Sequence, residues 1–123
     1  MMMFPNEMKT IEDFQAFHQW LDEKNHFDPD ILFNMVLLSG EVGEVAQILK
    51  KIRRQANLLR HEQEPGEAMS RALSQYREDL GQELADCLAY IFKMANYAGI
   101  DLQEAYIDKM AENIHRTWKT PNG

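Results

Sequence analysis

Glu41 and Glu44, and again Glu83 and Asp86, stand three residues apart within stretches of helically spaced apolar residues. Positions i and i+3 share one face of a helix, so each pair presents two carboxylates side by side. The neighbours Val42, Val45 and Ile48, and Leu84, Leu88 and Ile91, are expected in the core. A carboxylate beside a buried stripe costs free energy unless something pairs with it. Four such groups from two packed helices form an oxygen cage for Mg²⁺, with Mn²⁺ as a substitute, since these hard cations take carboxylates, water and phosphate oxygens. The alternative is two solvated acidic faces that never meet. Without a cation, mutual repulsion would raise some of the four pKa values.

Four helices must position these groups. Thr10 with Asp13 forms a capping box that opens the first, and Ile11, Phe14, Phe17, Trp20 and Leu21 recur at helical spacing to about Asn25. Asp28-Pro29 reads as cap and first residue of a second helix, which carries Ile31, Met35, Leu38, Val42, Val45, Leu49 and Ile52 to about Leu59. Gly40 and Gly43 inside it serve either close helix packing or room for a ligand. The stretch from His61 to Gly66 reads as a polar loop. A third helix starts between Glu67 and Ser74 and runs to Ala98, with Gly99 ending it. Asp101 and Glu104 open a fourth, to about Trp118, before a tail from Thr120 to Gly123. There is no strand pattern. The expectation is an all-α bundle of four helices with the two motif helices central and antiparallel.

The 123 residues suit one domain, 1–123, and the 45% hydrophobic content rules out general disorder. A net charge of −7 argues against a nucleic-acid polymer as partner and fits a cation site. The one cysteine, Cys87, excludes a disulfide framework and reads as a buried inert thiol. Met1 to Pro5 is too short for a signal peptide, and no stretch reads as a membrane span. The expectation is a cytoplasmic protein that does not enter membranes.

Gly40-Glu41-Val42-Gly43-Glu44 followed by Glu83-Leu84-Ala85-Asp86 resembles the ExxE…ExxD signature of the MazG-like, all-α nucleoside triphosphate pyrophosphohydrolases. Lys109, Met110, Asn113 and Arg116 resemble the KMxxNxxR segment of that superfamily's dCTP pyrophosphatase branch. Tyr90, four residues after Asp86, also matches the branch. The resemblance covers about 27–116. It implies hydrolysis of a nucleoside triphosphate to the monophosphate and pyrophosphate, with Glu41, Glu44, Glu83 and Asp86 as metal ligands and catalytic groups. Glu41 is the residue expected to orient or deprotonate the attacking water. Lys109, Asn113 and Arg116 lie at i, i+4 and i+7 and are expected to bind phosphate oxygens. Tyr90 is implied as a base contact; Trp20 and His26 near the first helix, and the Asn34 amide, complete the candidate base set. The resemblance favours a pyrimidine or modified deoxynucleotide and a house-cleaning role, with dUTPase-like or phosphoribosyl-ATP pyrophosphohydrolase activity as alternatives inside the superfamily.

Thirty-eight residues separate Glu44 from Glu83, more than the superfamily's usual spacer. The excess, about 55–76, is read as longer helices, a lid or an oligomer contact. Met69, Leu73 and Tyr76 there are expected to be exposed and, with the resemblance, point to a homodimer or homotetramer. Lys50 and Lys51, just past Glu44, face either phosphates or solvent. Two other classes remain open. A di-iron bundle would need Glu23/His26 and Glu112/His115 to meet Glu44 and Glu83, but those pairs fall at helix ends. A non-catalytic helical interaction protein would not need its carboxylates to converge.

Overall fold

The computed structural model describes residues 5–116. After a 3-10 turn at Pro5–Glu7, four α-helices follow: α1 (Ile11–Asn25), α2 (Ile31–Leu59), α3 (Pro65–Tyr97) and α4 (Leu102–Ile114). The described residues contain no strand, so the fold is all-α as expected. They fall into two compact units. One holds Asp30–Ile91; the other holds the residues up to Pro29 and from Phe92 onward.

The Asp30–Ile91 unit is a helical hairpin. Ile48, Ile52 and Ala56 of α2 form its core with Ala72 of α3, and Met69, Tyr76 and Leu80 pack against them. Later residues of α2 meet earlier residues of α3, as an antiparallel pair requires. The helices are joined by a short turn. Pro65 opens α3, where its missing N–H is no loss. The third helix therefore begins earlier than expected, and Pro65-Gly66 is helix rather than loop. The long spacer is thus longer helices, with Met69 and Tyr76 turned onto the hairpin core and not outward as expected; Leu73 alone of the three is exposed.

α2 starts at Ile31, two residues later than the Asp28-Pro29 signal suggested. The Asp30 carboxylate accepts the N–H groups of Leu32 and Phe33 at 2.9 and 3.2 Å and so caps the helix. Two aspartates flank Pro29, and the second is the one in reach of those free donors. Gly40 and Gly43 have open space where a Cβ would stand, so no contact within this chain demands glycine at either position.

The expected burial around the acidic pairs is only partly found. Ile48 is buried and Val45 half-buried, but Val42 is 53% exposed, Leu84 52% and Leu88 48%, and Ile91 is exposed as well. With Leu32, Met35, Val36 and Leu49, also exposed, each hairpin helix carries an uncovered apolar stripe. Met35, Val42 and Leu49 are seven apart on α2; Leu84, Leu88 and Ile91 are four and three apart on α3. α2 is also long and apolar enough to pass as a membrane span by length and composition, contrary to the sequence expectation. Glu41 and Glu44 near its middle weigh against insertion, at about 2.5–3.5 kcal/mol for an acidic group at the bilayer centre.

The second unit is built on α1, which packs against α4. Thr10 and Asp13 form the expected capping box. The backbone N–H groups of Lys9 and Thr10 hold the Asp13 carboxyl below its usual range. Phe14 and His18 both stack on Phe92, at 5.7 Å. Gln15 ties down the α3–α4 connection: its amide donates to the Ile100 carbonyl and accepts from Leu102 N–H. Gly99, at φ +67°, takes the left-handed turn that ends α3, and Asp101 caps α4 by accepting Glu104 N–H. α4 ends at Ile114 with His115 as its cap, short of the expected Trp118. Trp118, the 120–123 tail and Met1 to Phe4 lie outside the described residues.

Candidate metal and nucleotide site

The antiparallel hairpin brings three of the four expected carboxylates together. Glu41, Glu83 and Asp86 each offer one oxygen, and these lie within 4.8 Å of one another. Glu41 and Glu83 are half-buried and Asp86 exposed, so the group opens to solvent on one side. Glu83 Oε2 is shielded from water and meets no donor. Its neighbour is another carboxylate, and two carboxylates can bond only if one carries a proton. The Glu41 carboxyl, with which a protonated Glu83 could share its proton, accordingly pushes the Glu83 pKa up, followed by burial and by the charges of Glu41, Asp86 and Glu44. Glu44 is exposed and stands outside the three-oxygen group, though its charge reaches Glu83.

An oxygen-only donor set with a shielded, unpartnered oxygen fits a hard divalent cation such as Mg²⁺ or Mn²⁺. Cys87, beside these groups, is half-buried rather than buried. Burial and then the charges of Glu41, Glu83 and Asp86 push its thiol pKa up, so it stays protonated and is a poor ligand or nucleophile.

The raised Glu83 pKa carries a stability prediction. The folded chain without metal binds this proton more tightly than the unfolded chain. The resulting stabilisation is complete below the unfolded pKa and is lost as pH rises through the folded one. From this group, metal-free protein should therefore melt at lower temperature at pH 7.5 than at pH 4.5, the group's ordinary value. Glu83→Gln should remove that difference, and 10 mM Mg²⁺ should stabilise the wild type at pH 7.5 but not the variant. Thermal melts with and without chelator check this.

Of the proposed base contacts, Asn34 and Tyr90 lie in the hairpin unit. Asn34 is buried, and its amide donates to the Asp30 carbonyl at 2.8 Å, reinforcing the first turn of α2. Tyr90 is half-buried. Trp20 and His26 belong to the other unit. The Trp20 ring sits 5.9 Å from Phe17 and carries Lys24 over it at 5.1 Å. His26 ends α1 in the left-handed conformation, φ 54°, and lines a cavity of about 370 Å³ with Asp22, Phe27, Asn96 and Tyr97.

The proposed phosphate-binding residues also lie in this second unit. Lys109 pairs with Glu112 at 3.7 Å on the exposed face of α4. Asn113 is half-buried and its Oδ1 meets no donor. Arg116 lies past the helix end, where its backbone N–H bonds the Asn113 carbonyl. The expected helical face therefore holds Lys109 and Asn113, with Arg116 beyond it. The histidines of the di-iron alternative sit at helix ends as expected, His26 and His115 each serving as a C-cap.

The sequence reading missed a polar cluster in the second unit. The mostly buried Asp22 pairs with Lys93 at 3.6 Å and accepts the Tyr97 hydroxyl, while Lys93 lies over the Phe27 ring at 4.6 Å. Burial holds the His18 pKa down, with Asp22 opposing and Lys93 adding to the effect. A signal for it existed. Lys93 sits in an apolar run with no acid three or four residues to either side, so its counter-ion had to come from another helix.

The family model of the MazG nucleotide pyrophosphohydrolase domain matches residues 30–118. Comparison with curated proteins and with solved structures finds no match. The family match spans both acidic pairs and well over half of the sequence, so this chain belongs to the MazG nucleotide pyrophosphohydrolase family.

Proposed function

We propose that this protein hydrolyses a deoxynucleoside triphosphate to the monophosphate and pyrophosphate with Mg²⁺, as a house-cleaning enzyme of the cytoplasm. The observation that carries the reading is the convergence of Glu41, Glu83 and Asp86 at the centre of a MazG-type hairpin. These three are assigned to the cation. Mg²⁺ bound there would neutralise phosphate charge and lower the pKa of a coordinated water. Glu44, outside the ligand group and open to solvent, is then the carboxylate free to orient or deprotonate the attacking water. This moves to Glu44 the role that the sequence reading gave to Glu41, because the Glu41 oxygen is needed in the cluster.

Lys109, Asn113 and Arg116 remain the proposed phosphate contacts, and Tyr90, Asn34, Trp20 and His26 the proposed base contacts. A pyrimidine is preferred on the resemblance to the dCTP pyrophosphatase branch. A pyrophosphate-release screen across common and modified nucleotides tests the substrate. Pyrimidine deoxynucleotides should give the highest kcat/KM, and Tyr90→Ala should raise KM more than it lowers kcat, since base contact is uniform binding away from the reacting phosphate. Purine preference, or unchanged kinetics in Tyr90→Ala, would contradict it.

The protein is also proposed to act as a homo-oligomer, at least a dimer, without nucleic acid or membrane as partner. The support is the pair of uncovered stripes on α2 and α3. Contiguous apolar surface of this kind is uncommon on monomers. A second copy of the same hairpin would offer matching stripes across a two-fold axis. The contact is thus assigned to α2 and to α3 around Leu84–Ile91, in place of the 69–76 segment first expected.

A further inference from the structure

The far end of the hairpin differs in charge from the rest of the molecule. The chain carries −7 overall, yet seven of its thirteen lysines and arginines fall between Lys50 and Arg77, where there are only three carboxylates. None of these seven makes an ion pair among the described residues. Glu41, Glu44, Glu83 and Asp86 do not account for this concentration. Gln55 lies eleven residues beyond Glu44 on one continuous helix, which is about 16 Å of rise. The screening length is about 10 Å at 0.1 M salt, so the carboxylates repel an anion only weakly there.

At that end the two helices form a cleft of about 320 Å³, lined by Gln55 and Leu59 of α2 and by Arg71, Ser74 and Gln75 of α3. Arg71 has no carboxylate partner and makes no hydrogen bond among the described residues. A guanidinium offers a planar fork of donors that fits two phosphate oxygens at once. Ser74 and the two glutamines add neutral donors, and Leu59 supplies an apolar wall. Nothing in the proposed hydrolysis uses these five residues. We propose that this cleft is a second ligand site, which binds a small phosphate-bearing anion apart from the carboxylate group.

The proposed reaction has two products of this chemistry, inorganic pyrophosphate and a nucleoside monophosphate, and they serve as probes. Binding is measured on the Glu44→Gln protein with chelator present, by calorimetry and by amide chemical shifts. Under these conditions no turnover occurs, and the reading is independent of whether the hydrolase assignment holds. At least one probe should bind, with shifts centred on positions 55, 59, 71, 74 and 75. Pyrophosphate alone identifies an inorganic anion; the monophosphate alone identifies a nucleotide. Arg71→Ala should weaken binding at least tenfold, and Gln75→Ala should weaken it less. Both sites are exposed, so the fold should be kept, and turnover of the otherwise wild-type enzyme at low product should be unchanged. Absence of binding by both probes at millimolar concentration would overturn the proposal. So would shifts centred on the carboxylates, or binding that survives Arg71→Ala.

Discussion

Asp86→Asn should lower turnover by about a thousandfold or more while leaving the fold intact. The Asp86 oxygen is one of three within 4.8 Å, and it is the exposed member of the group. Stabilising phosphoryl charge by a divalent cation is worth several kcal/mol, and each ~1.4 kcal/mol is a factor of ten in rate. An amide keeps the shape and one weak oxygen donor but removes a charge. Metal affinity should therefore fall with turnover, and raised Mn²⁺ should restore part of the rate. Glu44→Gln should behave differently. It should retain metal binding, because Glu44 is outside the ligand group, and lose turnover that excess Mn²⁺ does not restore. Manganese titration followed by paramagnetic resonance, alongside pyrophosphate release, separates the two. Equal loss of metal affinity in both variants would return Glu44 to the ligand set.

The second large effect concerns assembly. Leu88→Glu should convert the proposed oligomer to a monomer of about 14 kDa at micromolar concentration. Leu88 is 48% exposed in the single chain, so a glutamate there costs the isolated fold little. Burying a leucine contributes about 1.5–3 kcal/mol, and a two-fold axis applies each substitution twice. Loss of both, with two like charges set in an apolar contact, should weaken association by about a thousandfold or more. Val42→Arg on α2 should act likewise. Sedimentation shows the change, and circular dichroism reports whether helix content is kept. A wild type that is monomeric throughout this range would contradict the assignment of these stripes to a second copy.

Local signals were the most legible part of the sequence. Thr10 with Asp13, Asp101 with Glu104, and Gly99 each marked an element end that the structure bears out, because each acts through backbone groups within a few residues. Beside Pro29 the pattern pointed to Asp28 as the cap, whereas Asp30 is the one that caps α2, since either aspartate precedes the apolar run. The acidic pairs were legible as partners because two i, i+3 motifs on neighbouring helices can meet in an antiparallel hairpin. Three of the four do so. Glu44 does not join them, and spacing alone does not say which member of a pair turns inward.

Burial was the least legible. Val42, Leu84 and Leu88 follow core spacing, yet the single chain leaves them exposed. Apolar periodicity states that a face is to be covered, and says nothing of whether the cover is the same chain. The Asp22, Lys93 and Tyr97 cluster was missed for a related reason. Asp22 stands more than seventy residues from Lys93 and Tyr97 in sequence, and helical spacing reports only neighbours on one helix.

The central claim is that this hairpin cleaves a nucleoside triphosphate between the α- and β-phosphates at the Glu41, Glu83 and Asp86 group. Phosphorus-31 resonance spectra of deoxycytidine triphosphate mixed with the enzyme and Mg²⁺ test it most directly. The account predicts equal amounts of monophosphate and pyrophosphate, no diphosphate intermediate, and no reaction with chelator or with Asp86→Asn. Release of orthophosphate with a nucleoside diphosphate, or hydrolysis that continues in Asp86→Asn, would contradict it.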